Sequence, residues 1–412
     1  MPAWPLAPLE IASGLVIGPA PAAELTIAPG GSTRLALDDV MRAALGRPPC
    51  VVAFSGGRDS SAVLALAADV ARRESLAPPV AVTNRFPALP HTDEATWQEL
   101  VVRHLGLADW VRIDHTDELD AVGPVAGRVL LRHGLLWPFN SHFIEPAAGV
   151  ASGGTLLTGV GGDELFGSPW AGALVASMLR LATRPTRRRL VYLARVGGPL
   201  PVRRAVGRRH TLAFPWLRPA VDEAMVEAVN DWDSRSPVGF ENCVRRYLWP
   251  SRYLQTIRRS LACVGGDHDA QVVHPLCEPA VLAALCGQLG WKGTRNRTEA
   301  MARLFGDLLP AELVRRPTKA AFTNVFVGGH TRRFVEAWSG AGVDRALVDP
   351  ERLVSTWSGP EPDARSLTQL QAAWLAQQPE PRRPQASREG RTTGSVVRLD
   401  GPGGPGTGPG AT

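Results

Sequence analysis

Residues 51–61 read VVAFSGGRDSS, an apolar run cut by two adjacent glycines and followed at once by a run with helical spacing. Val51, Val52, Ala53 and Phe54 are too few for a helix and stop at Ser-Gly-Gly, which predicts a strand over 50–54. Val63, Leu66, Ala67 and Val70 fall at i, i+3, i+4, i+7 and share one face of a helix that Arg72 and Arg73 close at its negative end. A strand that turns through glycines straight into a helix suits an anion cradle, and the alternative is an ordinary strand-to-helix turn that is merely glycine-rich. The helix start concentrates about half a positive charge and several unpaired donors, and glycine lets backbone approach a phosphate closely. Ser55, Gly56, Gly57 and Ser60 are the candidate phosphate-binding residues, and Asp59 stands where a divalent cation would sit. No Gly-Lys-Ser/Thr follows, so this is not a Walker-type loop. Adjacent glycines and an early aspartate exclude the GxGxxG dinucleotide turn as well.

The surrounding pattern extends this unit. A helix is expected over about 38–46, a second strand over 80–84 after Pro78-Pro79, and a third at 110–113. Between the last two, Thr92 or Asp93 caps a helix that shows Trp97, Leu100, Val101 and Leu105 on one face and ends at Gly106. A fourth strand is expected at 155–158. Strands alternating with helices predict an α/β fold with a doubly wound parallel sheet, in which ligands sit at the carboxyl ends of strands. From about 170 to 375 the chain lacks β-like alternation and reads as a helical layer. Residues 1–40 read as a short β-containing lead-in, 41–376 as the main domain, and 377–412 as a Pro/Gly-rich disordered tail.

Composition narrows the classes. No stretch approaches 18 uninterrupted apolar residues, and MPAWPLAPLE lacks the basic start and apolar middle of a signal peptide. Five cysteines without a CxxC pair argue against a disulfide framework or zinc ribbon, and for a cytoplasmic protein with no membrane partner. Residues 184–210 carry nine arginines and no acid, read as a solvated arginine-rich loop and helix rather than a patch for an anionic peptide, phosphate or nucleic acid. Only Lys292 and Lys319 are lysine, which marks places where a compact ammonium is wanted.

A second glycine turn, TLLTGVGGDELFG at 155–167, places Asp163 and Glu164 after a strand. If it faces the first turn, Asp59 and Asp163 converge on one cavity and, beside phosphate oxygens, suit magnesium, which takes few protein ligands. Read alone, Asp163 is equally a helix cap. Around Lys319 the sequence LVRRPTKAAF lies between helices, where an ammonium can reach a cavity mouth and offset developing negative charge.

SGGRDSS, TGVGGDELFG and RRPTKAAF occur here in the order found in the asparagine synthetase-like amide ligases, which the chain resembles over roughly residues 45–330. That group belongs to the PP-loop ATP pyrophosphatases and includes asparagine synthetases, β-lactam synthetases and lasso-peptide macrocyclases. HPLCEP at 274–279, with Pro275 and Glu278, is similar to the family's Pro-Phe-Leu-Asp stretch, and Arg316 to Lys319 supports the match. The resemblance implies ATP and Mg²⁺ as cofactors, with ATP phosphates on Ser55, Gly56, Gly57 and Ser60. Gly159 and Gly161 belong to the same nucleotide-binding set, and adenine lies near Val82 and Thr83. Asp59 and Asp163 are implied as metal ligands, and Lys319, with the two aspartates, as the catalytic set. The implied reaction adenylates a substrate carboxylate and then joins it to ammonia or an amine.

Two departures shape the expectation. About forty residues stand where the glutamine-using members carry a glutaminase domain, so nitrogen is expected from ammonia, a substrate amine or a partner subunit. Val160 replaces the glutamate or tyrosine of better-known members and can be neither base nor donor. Glu145 and Glu278 are the substitutes to consider. The expected substrate is a peptide or natural-product carboxylate, with a separate glutaminase-like or leader-binding partner and no nucleic acid. The alternatives are asparagine synthesis from aspartate, a tRNA-modifying enzyme sharing the first turn, and a non-catalytic relative that binds a nucleotide or partner.

Overall fold

The computed structural model describes residues 3–21, 24–27, 31–167, 171–316 and 322–379. Five strands, β1 (Cys50–Ala53), β2 (Val80–Arg85), β3 (Trp110–Asp114), β4 (Thr155–Leu157) and β5 (Gln271–Val273), form one sheet in the order β3-β2-β1-β4-β5. Every pairing is parallel, with Val51 opposite both Val80 and Leu156. The expected parallel α/β sheet is therefore the observed one. From β1 the chain steps outward to β2 and β3, then returns to lay β4 on the other side of β1. This reversal makes the carboxyl ends of β1 and β4 the switch point of the sheet, where doubly wound folds open a crevice.

Alternation of side chains along β1 explains why both faces are covered. Cys50 and Val52 point into a large core with α2 (Thr33–Leu45), α3 (Arg58–Glu74), α4 (Ala95–Leu105) and the Pro279–Leu289 helix. Val51, with Val82 and Leu156, points the other way against Ala147 and Ala148 of the Glu145–Val150 helix. A third cluster, built on Trp216, Phe326, Trp357 and Leu370, holds the carboxyl-terminal helices together.

Several boundaries moved for local reasons. Helix α2 starts five residues before the expected Asp38, because Ser32 accepts a hydrogen bond from Leu35 N–H and caps it there. The cap position of α4 falls on Glu94 rather than on Thr92 or Asp93, with Asp93 accepting from Ala95 N–H at 2.8 Å from one residue further back, while Gly106 closes the helix with φ 64°, as expected. Strand β5 corrects the reading of 170–375 as helix alone. The lead-in is corrected too: its described residues hold a helix, α1 (Pro8–Ser13), the start of α2 and a single bridge, Pro19 to Ser251, rather than strands. Two indoles fasten it, Trp216 donating to Ala12 O and Trp137 to Gly14 O. The arginine-rich stretch folds as two helices, Arg187–Gly197 and Leu200–Arg208, rather than as loop and helix. Among the described residues, no helix is long and apolar enough to cross a membrane.

Candidate active site

The turn after β1 is closed by its own serines. Ser60 Oγ accepts from Ser55 N–H at 3.2 Å and lies 3.1 Å from Ser55 Oγ, which in turn accepts from Gly57 N–H at 3.3 Å. Gly56 takes φ 82°, the left-handed region that a side chain rarely adopts, and a Cβ there would stand 2.8 Å from Gln98 Cγ. Helix α3 begins at Arg58, so its first turn presents Asp59 and the amino-terminal donors to the crevice.

The second turn lies directly on the first. A Cβ on Gly162 would fall 2.1 Å from the carboxylate carbon of Asp59, so only glycine permits this approach. The short Gly162–Phe166 helix then carries Asp163 on its second residue. Behind it, Val160 N–H donates to Thr158 Oγ1, and Thr158 Oγ1 sits 2.6 Å from Nδ1 of the buried His274. Burial pushes the His274 imidazole down to about 3, so it is neutral support for the turn.

The two turns open on one cavity of about 510 Å³. Of the residues expected in the site, Ser55, Gly57, Asp59, Ser60, Gly159, Gly161 and Asp163 line it. The two acids meet through a residue that the motifs do not reveal. Arg297, first residue of the Arg297–Phe305 helix, gives one Nη to Asp59 and the other to Asp163. Burial opposes its charge, and the two carboxylates more than offset that, so its proton is held more firmly than usual. The only sequence signal was Asn296, which caps that helix by accepting from Glu299 N–H and so aims Arg297 from a helix start.

Other expected residues lie elsewhere. Val82 is packed inside the sheet core, and Thr83 donates its hydroxyl to Phe54 O at 2.7 Å; neither is among the residues that line this cavity. Glu145 pairs with Arg128, and Glu278 lies 3.4 Å from Arg258; neither lines the cavity as a substitute base. Lys319 lies outside the described residues. Its neighbour Arg316 is buried, pairs with Glu94 through both Nη groups, donates to Gly56 O at 3.3 Å and stacks over Trp97. It ties the third motif to the first. Lys292 is exposed and outside this cavity.

Among the described residues no group of three or more His, Cys, Asp or Glu side chains could hold a metal. Asp59 and Asp163 remain a fitting pair for a hard divalent cation that takes its other ligands from phosphate and water. Arg297 already holds a positive charge between these carboxylates, which is the charge such a site is built to accept.

A family model described as asparagine synthase matches residues 33–378. The chain belongs to the asparagine synthase family. The match spans both glycine turns, Arg297 and the Arg316 segment, and makes the protein a ligase of the kind that drives amide formation with ATP. A search of curated proteins returns no match.

Proposed function

We propose that this enzyme activates a carboxylate on a peptide or natural-product precursor as an acyl-adenylate and passes it to an amine or ammonia. The observation that carries the reading is the convergence of Asp59 and Asp163 on one cavity at the β1–β4 switch point. The turn after β1 offers backbone donors and two serine hydroxyls to a triphosphate, and Arg58 and Arg297 add charge at the same mouth. When bound, magnesium supplies charge neutralisation on the pyrophosphate, and Asp59 and Asp163 are the residues that would hold it. A carboxylate oxygen attacks the α-phosphorus and the α–β phosphoanhydride breaks, releasing pyrophosphate. The amine nitrogen then attacks the acyl carbon, the C–O bond to AMP breaks, and the amine loses a proton. Lys319 is proposed to offset charge in both steps.

Val160 supports specialisation over aspartate chemistry. It lines the cavity and packs with Trp137, Ile257 and Leu261, so this wall is apolar where free aspartate would need polar partners. The test is pyrophosphate release and ATP binding by wild type and Asp163→Asn. Wild type is expected to bind ATP, and the variant to lose roughly 10²–10³-fold in turnover, as when one preorganised charge partner is removed. A wild type that neither binds ATP nor releases pyrophosphate overturns the reading.

A further inference from the structure

A second cavity, of about 600 Å³, lies beside the first and shares Glu164 and Tyr253 with it. Tyr253 donates to Glu164 Oε1 at 2.7 Å and meets Trp137 edge-on with ring centroids 5.0 Å apart, so the wall between the cavities is a tyrosine held from both sides. Trp137 and Tyr192 give the second cavity flat apolar walls, and Leu15–Ile17 of the lead-in close one side. Polar groups of both signs enter it. Tyr247, stacked on Trp232, donates to Asp233 at 3.0 Å, and Arg195 comes from the arginine-rich helices.

Resting on the ligase reading above, we propose that this second cavity binds the body of a peptide substrate, whose carboxylate passes Tyr253 to reach the nucleotide. Its volume falls in the range of about 300–1,000 Å³ that encloses drug-sized ligands, far more than a free amino acid fills. A wholly apolar acyl chain would set hydrocarbon against the charged Arg195 and Asp233 and the Ser236 hydroxyl, whereas a peptide brings donors and acceptors along its length. Aromatic walls add stacking surface for its side chains. Segment 184–210 thereby gains a role, because its helices build one wall of the substrate site.

The probe is a pooled library of N-acetylated random hexapeptides with free carboxyl ends, passed over immobilised full-length enzyme and read by mass spectrometry. Wild type is expected to retain a subset. Val196→Trp and Ser236→Trp, each filling the cavity from a different element, should each cut retention at least tenfold, with ATP binding as the check on folding. No retention above bare support, or retention untouched by both fillings, overturns the proposal. So does calorimetry in which L-aspartate binds as tightly as the retained peptides. Asp163→Asn is expected to keep the peptides while losing pyrophosphate release. A wild type silent toward ATP but retaining peptides removes the ligase reading and leaves the cavity assignment standing.

Discussion

Arg297 is the residue that most changes how the site is understood. In a chain where arginine is the default cation, its neighbourhood NRTEA marks a capped helix start and no more, and only the fold brings it to Asp59 and Asp163. Its guanidinium and a divalent cation compete for the same carboxylate oxygens. Arg297→Gln is therefore expected to bind Mn²⁺ in the absence of nucleotide at least tenfold more tightly than wild type, read by electron paramagnetic resonance. The same change should weaken ATP roughly tenfold, the loss of one charge-assisted contact. Unchanged values for both would remove Arg297 from the site's chemistry. His274 gives a second test, on stability. An unfolded imidazole takes its proton near pH 6.5, while the buried one does so only at about 3. Between these values the unfolded chain binds the extra proton, so stability falls as pH falls, by about 1.4 kcal/mol per unit from this group. Denaturant titrations of wild type and His274→Asn should differ by that slope below pH 6.5 and run parallel above it.

The two glycine turns were legible as elements because each combines a strand run, a glycine break and a helix start within a dozen residues. Their facing was inferable only from sheet topology, and it depends on an atom that is not there. A methyl group on Gly162 would occupy the space of the Asp59 carboxylate, so Gly162→Ala must push the first turn off the second. A shift of about 1 Å at such a site costs on the order of 10²-fold in rate. Pyrophosphate release should fall by that factor while circular dichroism stays native; a fully active variant would show that the turns need not touch. Strand β5 carries no such signal. It is three residues long, Gln271 is exposed, and pairing along β4 rather than any internal pattern makes it a strand. Val82, expected near adenine, stands in the middle of β2 with its side chain in the sheet's second core.

Across the whole molecule, Arg316 at the head of the third motif is joined to Glu94, just before α4, by a buried ion pair, and to the first turn by its hydrogen bond to Gly56 O. Arg316 and Glu94 are 222 residues apart in sequence, and their side chains are 4% and 6% exposed. No pairing rule in the sequence connects them, although Arg316 was flagged by its motif. Low exposure sets the energetics: removing one member of such a pair strands the other's charge and costs about 3–5 kcal/mol, while replacing both with apolar groups is often neutral. Glu94→Gln should therefore lower the unfolding free energy by about 3 kcal/mol in urea titrations, and Glu94→Leu with Arg316→Met should recover most of it. The recovered protein separates stability from catalysis. Arg316 also donates to Gly56 O, so the double variant frees the phosphate turn from the third motif even where the fold is restored. ATP binding is expected to weaken in that stable double variant. If it binds ATP as wild type does, the pair holds the fold together without shaping the site.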